Sequence, residues 1–281
     1  MSADAKTRTI HAIFLDVDGT YADFGIVPEA HVVAVQAARA NGHKVLLCTG
    51  RPVSMLPAHI LDAGFDGLIA SAGAYVEVAG EVLVDKRFPA DLAKRTVAIL
   101  DANDSVYVLE AQESLHVAPA AEQRLRTIVE GHFQKSAPGQ PRGSSAILDS
   151  LLPWSQDSPL FAKVTVFESR IPMDQMVAEI GAEIAVVANS IANEGSHAGE
   201  LYQCGISKAD GVAAAIARLG IEQKDTIAFG DGQNDLEMIA YAGMGVAIEG
   251  SSAELLAIAD RTAAPPSREG IAAAFADLGL I

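Results

Sequence analysis

The chain has 281 residues, half of them hydrophobic and 20% charged, which suits one large domain or two ordinary ones around a sizeable core and excludes a disordered chain. Its 20 Lys and Arg stand against 36 Asp and Glu, for a net charge of −16, so it lacks the positive footprint that nucleic acid or an anionic membrane surface requires. An acidic chain can still take a phosphate ester where a divalent cation and one or two basic side chains invert the local field.

Residues 10–15 are a short apolar run closed by an acidic, glycine-containing turn, the pattern of a buried parallel strand. Residues 30–40 have helical character and stop at Asn41-Gly42. A second strand over 44–48 ends at Thr49-Gly50-Arg51-Pro52, where Pro52 can open a helix reaching about 63–64. A third strand follows at 68–70. The alternation returns after residue 200: a helix over 208–219 ended by Gly220, a strand over 226–229, a helix over 234–241, a strand over 245–248 and a serine-capped helix over 251–259. This pattern predicts an α/β fold, a doubly wound parallel sheet with helices on both faces.

The middle reads differently. A hairpin over 106–110 and 115–118, a helix over 120–133, a strand over 161–168, a helix over 173–181 and a strand over 183–188 suggest an inserted α+β unit. Residues 1–84 and 199–281 are thus expected to form the core, and 85–198 the insert. Residues 135–145, rich in Pro, Gly and Ser, read as a mobile loop, and 189–199 as the return linker. The loops 134–145 and 189–197 are candidates for substrate contact.

Three polar clusters directly follow predicted strands: Asp16-Val17-Asp18-Gly19-Thr20, Thr49-Gly50-Arg51, and Gly230-Asp231-Gly232-Gln233-Asn234-Asp235. Ligands of an open α/β sheet bind outside the carboxyl ends of its strands, so these clusters are expected to converge there with Lys208, which opens a helix. Asp16, Asp18, Asp231 and Asp235 would repel one another without a hard cation. Mg²⁺, which takes carboxylates, waters and phosphate oxygens, meets that need. Gly19 and Gly232 permit tight turns, Thr49 and the amides after it can cradle an anion, and Lys208 offers a compact positive charge to a phosphoryl group.

These four motifs, in this order, resemble those of the haloacid dehalogenase superfamily of phosphatases. The spacing is similar to its Cof-type branch: 32 positions from Asp18 to Gly50 leave no room for a large cap, whereas 157 from Arg51 to Lys208 do. The resemblance implies that Asp16 is the nucleophile that forms an aspartyl-phosphate. It implies that Asp18 protonates the leaving oxygen, activates the water and lends its backbone carbonyl to Mg²⁺ beside Asp16 and Asp231. Asp235 would act through a bound water or by orienting Lys208, and Gly19, Thr49, Gly50, Arg51 and Asn234 would serve phosphate and substrate. In the related ATPase pumps a threonine stands where Asp18 does, so an aspartate favours hydrolysis. The chain departs from the branch at Ser71-Ala72-Gly73-Ala74, where Asn-Gly-Ala is common, and at Glu269-Gly270, where Asp-Gly is common.

An EF-hand loop needs glycine at its sixth position and glutamate at its twelfth, but from Asp16 those are Tyr21 and Val27, and from Asp231 the sixth is Leu236. There is no Gly-x-x-x-x-Gly-Lys phosphate loop, and the seven histidines show no metal spacing. Arg51 has two readings, a substrate contact or a partner for a core acid. Trp154 reads as packing, and Cys48, at the end of an apolar run, as a buried thiol. No signal peptide is apparent and no stretch approaches 18 apolar residues, so a cytoplasmic location is expected. The sequence therefore points to a Mg²⁺-dependent phosphomonoesterase acting on a small phosphorylated metabolite, with sugar phosphates the leading class. A sugar phosphomutase and a catalytically silent phosphate-ligand sensor are the rivals, and protein partners are unspecified.

Overall fold

The computed structural model describes residues 9–136, 148, 150–155, 157–187 and 195–281. In chain order it begins with β1 (Ala12–Leu15), α1 (Glu29–Ala40), β2 (Lys44–Cys48), α2 (Ala58–Leu61), β3 (Gly67–Ala70), β4 (Tyr75–Val78) and β5 (Glu81–Asp85). There follow α3 (Ala90–Ala102), β6 (Val106–Glu110), β7 (Leu115–Val117), α4 (Glu122–Ser136), β8 (Leu151–Pro153), β9 (Lys163–Glu168), α5 (Met173–Ile180), β10 (Ile184–Val187) and β11 (Gly199–Gln203). The chain ends with α6 (Lys208–Leu219), β12 (Thr226–Gly230), α7 (Leu236–Tyr241), β13 (Met244–Ile248), α8 (Ala253–Ile258), β14 (Arg261–Ala263) and α9 (Gly270–Asp277).

These elements divide into two compact units. The first comprises the chain up to Thr49, Ala58–Val84 and Ser207–Ile281, and the second Gly50–Pro57 and Asp85–Ile206.

In the first unit the strands run β14-β13-β12-β1-β2-β3-β4-β5, parallel from β14 to β3, with β4 antiparallel to β3. From β1 the chain winds to β2 and β3 on one side, and after the insert to β12, β13 and β14 on the other. The junction of β1 and β12 is thus the switch point, where such sheets bind ligands. Burial of every residue of β1 and β12 explains their unbroken apolar runs. Ala12, Phe14, Leu46, Cys48 and Ile69 share one core cluster with Val212, Ala215 and Ile216 of α6. The doubly wound α/β core expected from the sequence is present.

The helix expected from Pro52 to about 63–64 is broken. A single 3-10 turn, Val53–Met55, is followed by extended Leu56, because the ring of Pro57 disfavours helical backbone in the residue before it. Only Ala58–Leu61 is α-helical.

The second unit is a six-stranded sheet, β10-β11-β9-β6-β7-β8, antiparallel except for the β7–β8 pair. Tyr107, Leu109, Val164 and Val166 pack with Leu92 and Met176 of α3 and α5, while Val106, Val108 and Phe167 pack with Leu125 and Val129 of α4. Both faces therefore carry an apolar cluster, as alternation along a strand allows when each face is covered. Trp154 packs against this core, edge-on to Phe161 at 6.3 Å.

The return to the first unit falls at Ser207 rather than at 199, since Gly199–Gln203 is a strand paired with β9 and β10. The loop expected over 135–145 lies outside the described residues from 137 onward, and the linker expected over 189–199 lies outside them as far as 194. Among the described residues no helix is long and apolar enough to cross a membrane.

Candidate active site

Asp16 follows the last residue of β1 and is held in register by its amide, which donates to the carbonyl of Phe229 on β12 at 3.0 Å. Its own carbonyl accepts from Tyr21, as the chain turns tightly through Gly19 at a φ of +82°. A Cβ on Gly19 would stand 2.3 Å from Asp231 Oδ2, so this glycine serves both the turn and the close approach of the second acid. Thr20 donates its hydroxyl to Asp231 Oδ1 at 3.0 Å. Sequence reasoning leaves Thr20 without a role, although it stands in the Asp-Val-Asp-Gly-Thr run that drew attention to Asp16.

Lys208 is delivered by the first turn of α6. Ser207 caps that helix by accepting from the Asp210 amide, and Gly220 closes it at a left-handed φ of 68°. Gly73 lets the turn after β3 press against this helix start, since a Cβ there would lie 2.0 Å from the Ser207 carbonyl oxygen. Lys208 Nζ then donates to Asp16 Oδ1 and to Asp235 Oδ1, each at 2.6 Å. The other oxygen of Asp235 accepts from the amides of Asp231 and Gly232 at 3.0 and 2.9 Å. Asp235 is fully buried with both oxygens engaged, so in this arrangement it orients Lys208 and the turn that carries Asp231.

Carboxylate oxygens of Asp16, Asp231 and Asp235 lie within 4.8 Å of one another. Burial pushes the Asp16 carboxyl well above the usual carboxylate range, with Lys208 opposing and Asp235 and Asp231 adding to it. Asp231 is pushed up to about 6, again by burial first and then by Asp235. Burial works against the charge of Lys208, but Asp16 and Asp235 hold its pKa above the ordinary lysine value. Three carboxylates around one ammonium leave a formal excess of two negative charges. An all-oxygen donor set with that excess fits a divalent hard cation.

The other sequence candidates are distributed as follows. Asp18 is exposed, two residues beyond Asp16, and is not one of the three clustered carboxylates. Thr49 is buried just past β2, its amide donating to Ile69 O at 2.8 Å and its carbonyl accepting from Ala72 at 3.0 Å. Asn234 is exposed on the 3-10 turn Gln233–Asp235. Gly50 and Arg51 pack with the second unit, where Arg51 Nη1 donates to Met55 O at 3.3 Å. Cys48 is buried, as expected, and burial pushes its thiol up.

A sequence model of the haloacid dehalogenase-like hydrolases matches residues 13–275, nearly the whole chain. The chain belongs to this family. YkrA of Bacillus subtilis (strain 168), provisionally named a phosphatase, is 28% identical over 270 residues, covering 96% of this chain and 98% of YkrA. Among solved structures, BT1666 from Bacteroides thetaiotaomicron, a phosphatase of the haloacid dehalogenase superfamily, superposes with a TM-score of 0.76 at 23% identity, covering 100% of this chain and 99% of that one. The subclass IIB sugar phosphatase BT4131 does so with 0.74 at 24% identity, covering 96% and 100%. The resemblance to the Cof-type branch is thus borne out, and so is the expectation of a hydrolase.

Proposed function

We propose that this haloacid dehalogenase-like hydrolase is a Mg²⁺-dependent phosphomonoesterase that works through an aspartyl-phosphate on Asp16. The observation that carries this reading is the buried Asp16 carboxylate held by Lys208 beside Asp231, with a second acid, Asp18, exposed two residues on.

Each residue has a role in a balanced sequence. A carboxylate oxygen of Asp16 attacks phosphorus, and the ester P–O bond breaks with its electron pair leaving on the alkoxide. Asp18, open to solvent, gives the alkoxide a proton. The resulting Asp18 carboxylate takes a proton from water, whose oxygen attacks the same phosphorus and releases inorganic phosphate and free Asp16. Lys208 balances the nucleophile before attack and the phosphoryl oxygens after it, and Asp235 keeps the ammonium in place. Thr49, Gly50 and Asn234 would hold phosphoryl oxygens, while Gly19 gives the turn and Arg51 faces substrate or a core acid. Mg²⁺ would be held by Asp16, Asp231 and the Asp18 carbonyl, with Asp235 behind them, and would supply charge neutralisation for the transferring group.

A small phosphorylated metabolite is the proposed substrate, with sugar phosphates leading because BT4131, a sugar phosphatase, shares the fold. The insert would select the leaving group and exclude water. The test is phosphate release from a panel of phosphorylated metabolites by wild type and Asp16→Asn, each with Mg²⁺ and with chelator. Turnover should need Mg²⁺ and vanish in Asp16→Asn; activity surviving in that variant would sink the nucleophile assignment.

A further inference from the structure

Three charged side chains on the sheet of the second unit stand where apolar ones would be expected. Glu110 on β6 and Lys163 on β9 are register partners, and Glu200 lies on β11, the neighbour of β9. By alternation along their strands, all three share the face of Val108 and Phe167. Lys163 is only 7% exposed. Its Nζ donates to Glu200 Oε2 at 2.9 Å and lies 3.2 Å from Glu110 Oε2, while Glu110 Oε1 accepts from the Thr165 hydroxyl at 2.5 Å. Burial works against the charge of Lys163, but the two glutamates hold it protonated. Apolar residues of similar volume usually fill such a space at least as stably, so this group calls for a role other than stability.

Its third contact supplies one. Lys163 Nζ also donates to the carbonyl of Gly50 at 3.1 Å. The ammonium thus donates to Glu200 and to Gly50, while Glu110 stands beside it as the second counter-charge of the ion pair. Gly50 opens the segment that leaves β2 directly after Thr49, and the rest of that segment is tied to the same part of the sheet. The Val53 amide donates to Gln112 Oε1 at 3.3 Å, the Ser54 hydroxyl to Ala111 O at 3.1 Å, and Met55 packs against the apolar cluster around Val106 and Val108.

We propose that Lys163 is a positioning residue for phosphate binding: by holding the Gly50 carbonyl, with Glu110 and Glu200 locking its ammonium, it sets the orientation of the peptide groups at Gly50 and Arg51. The inference rests on the phosphatase reading above, in which Gly50 receives phosphoryl oxygens. A one-ångström drift of such groups weakens every contact they make.

The test uses the full chain with Mg²⁺ and compares wild type with Lys163→Met, Lys163→Arg and Gln112→Ala. Hydrogen exchange of the peptide covering 50–57 reports whether the segment is held. Inorganic phosphate binding, and kcat and KM for p-nitrophenyl phosphate, report whether holding it matters. Lys163→Met should speed exchange in 50–57 but not in β1 or β12, and should raise both the phosphate Kd and KM about tenfold, the effect of losing one charge-assisted hydrogen bond, with a smaller fall in kcat. Lys163→Arg should recover part of the loss. Gln112→Ala disturbs no buried charge and should move exchange and Kd the same way by a smaller factor, so the inference remains testable if Lys163→Met does not fold. Faster exchange with unchanged phosphate affinity overturns the inference and leaves the phosphatase reading standing. A wild type that neither binds phosphate nor hydrolyses any ester overturns both.

Discussion

Asp16 and Lys208 are 192 positions apart in the chain and 2.6 Å apart in the fold. Lys208 is the cation between two buried carboxylates, Asp16 and Asp235, with half-buried Asp231 in the same cluster, and its side chain is wholly inaccessible to solvent. Replacing it with glutamine leaves an uncompensated acidic cluster, a change that costs about 3–5 kcal/mol in comparable buried pairs. Lys208→Gln should therefore melt well below wild type in chelator, recover more than wild type does on adding Mg²⁺, and lose about 10²–10³-fold in kcat. Calorimetry with and without metal, followed by phosphate release, checks all three.

Two glycines on one loop separate conformational strain from crowding. Gly19 and Gly25 both have left-handed backbone, at φ values of +82° and +77°, but a Cβ on Gly25 meets nothing within 4 Å while one on Gly19 meets Asp231. Gly25→Ala should cost about 1–2 kcal/mol of stability and leave turnover intact. Gly19→Ala should displace Asp231 and abolish both turnover and Mg²⁺-dependent stabilisation in thermal melts.

His31 gives the protein an acid-sensitive point away from the chemistry. It is buried, with Nδ1 donating to the Tyr21 carbonyl and Nε2 accepting from the Ile271 amide, an arrangement that requires the neutral ring. Burial lowers its pKa from 6.5. The unfolded chain therefore binds the proton more readily, so this contribution to stability is complete above pH 6.5 and declines as pH falls from there through the lowered folded value. Urea denaturation between pH 8 and pH 5 should show stability falling toward acid, and His31→Gln should flatten that slope.

The two cysteines should differ sharply toward thiol reagents. Cys204 is exposed, whereas Cys48 is buried and its thiol is held up by that burial. Ellman's reagent should titrate Cys204 promptly in the native state and reach Cys48 only on unfolding. Prompt reaction of both would mean that β2 opens far more readily than its packing implies.

Much of the first unit is legible in the sequence because local signals and polar strand ends coincide there. Ser207 and Gly220 bracket α6 so clearly that its bounds match the expected 208–219, and β2 matches 44–48. Asp16 and Asp231 were legible because each stands just beyond an apolar run. What escaped depends on partners distant in sequence. Gly199–Gln203 begins where the expected linker over 189–199 ends, is too short and polar to mark itself as a strand, and becomes one through pairing with β9 and β10. Nothing local in the sequence distinguishes Lys163 and Glu110 from other charges, since their burial arises only when β6 and β9 align. The break at Leu56-Pro57 is legible in principle, because Pro57 disfavours helical backbone at Leu56 even where Pro52 suits a helix start.

The packing of Gly73 against Ser207 bears on how such enzymes diversify. Asp16 and Lys208 are brought together by the turn after β3 and the start of α6, both within the first unit. On the phosphatase reading proposed above, mutations that reshape the long middle stretch of the gene can therefore accumulate without unsettling Asp16 and Lys208, and a lineage can try new leaving groups while its chemistry stays constant. If Lys163 acts as inferred, that freedom has one toll: a replacement insert must bring its own donor for the carbonyl of Gly50.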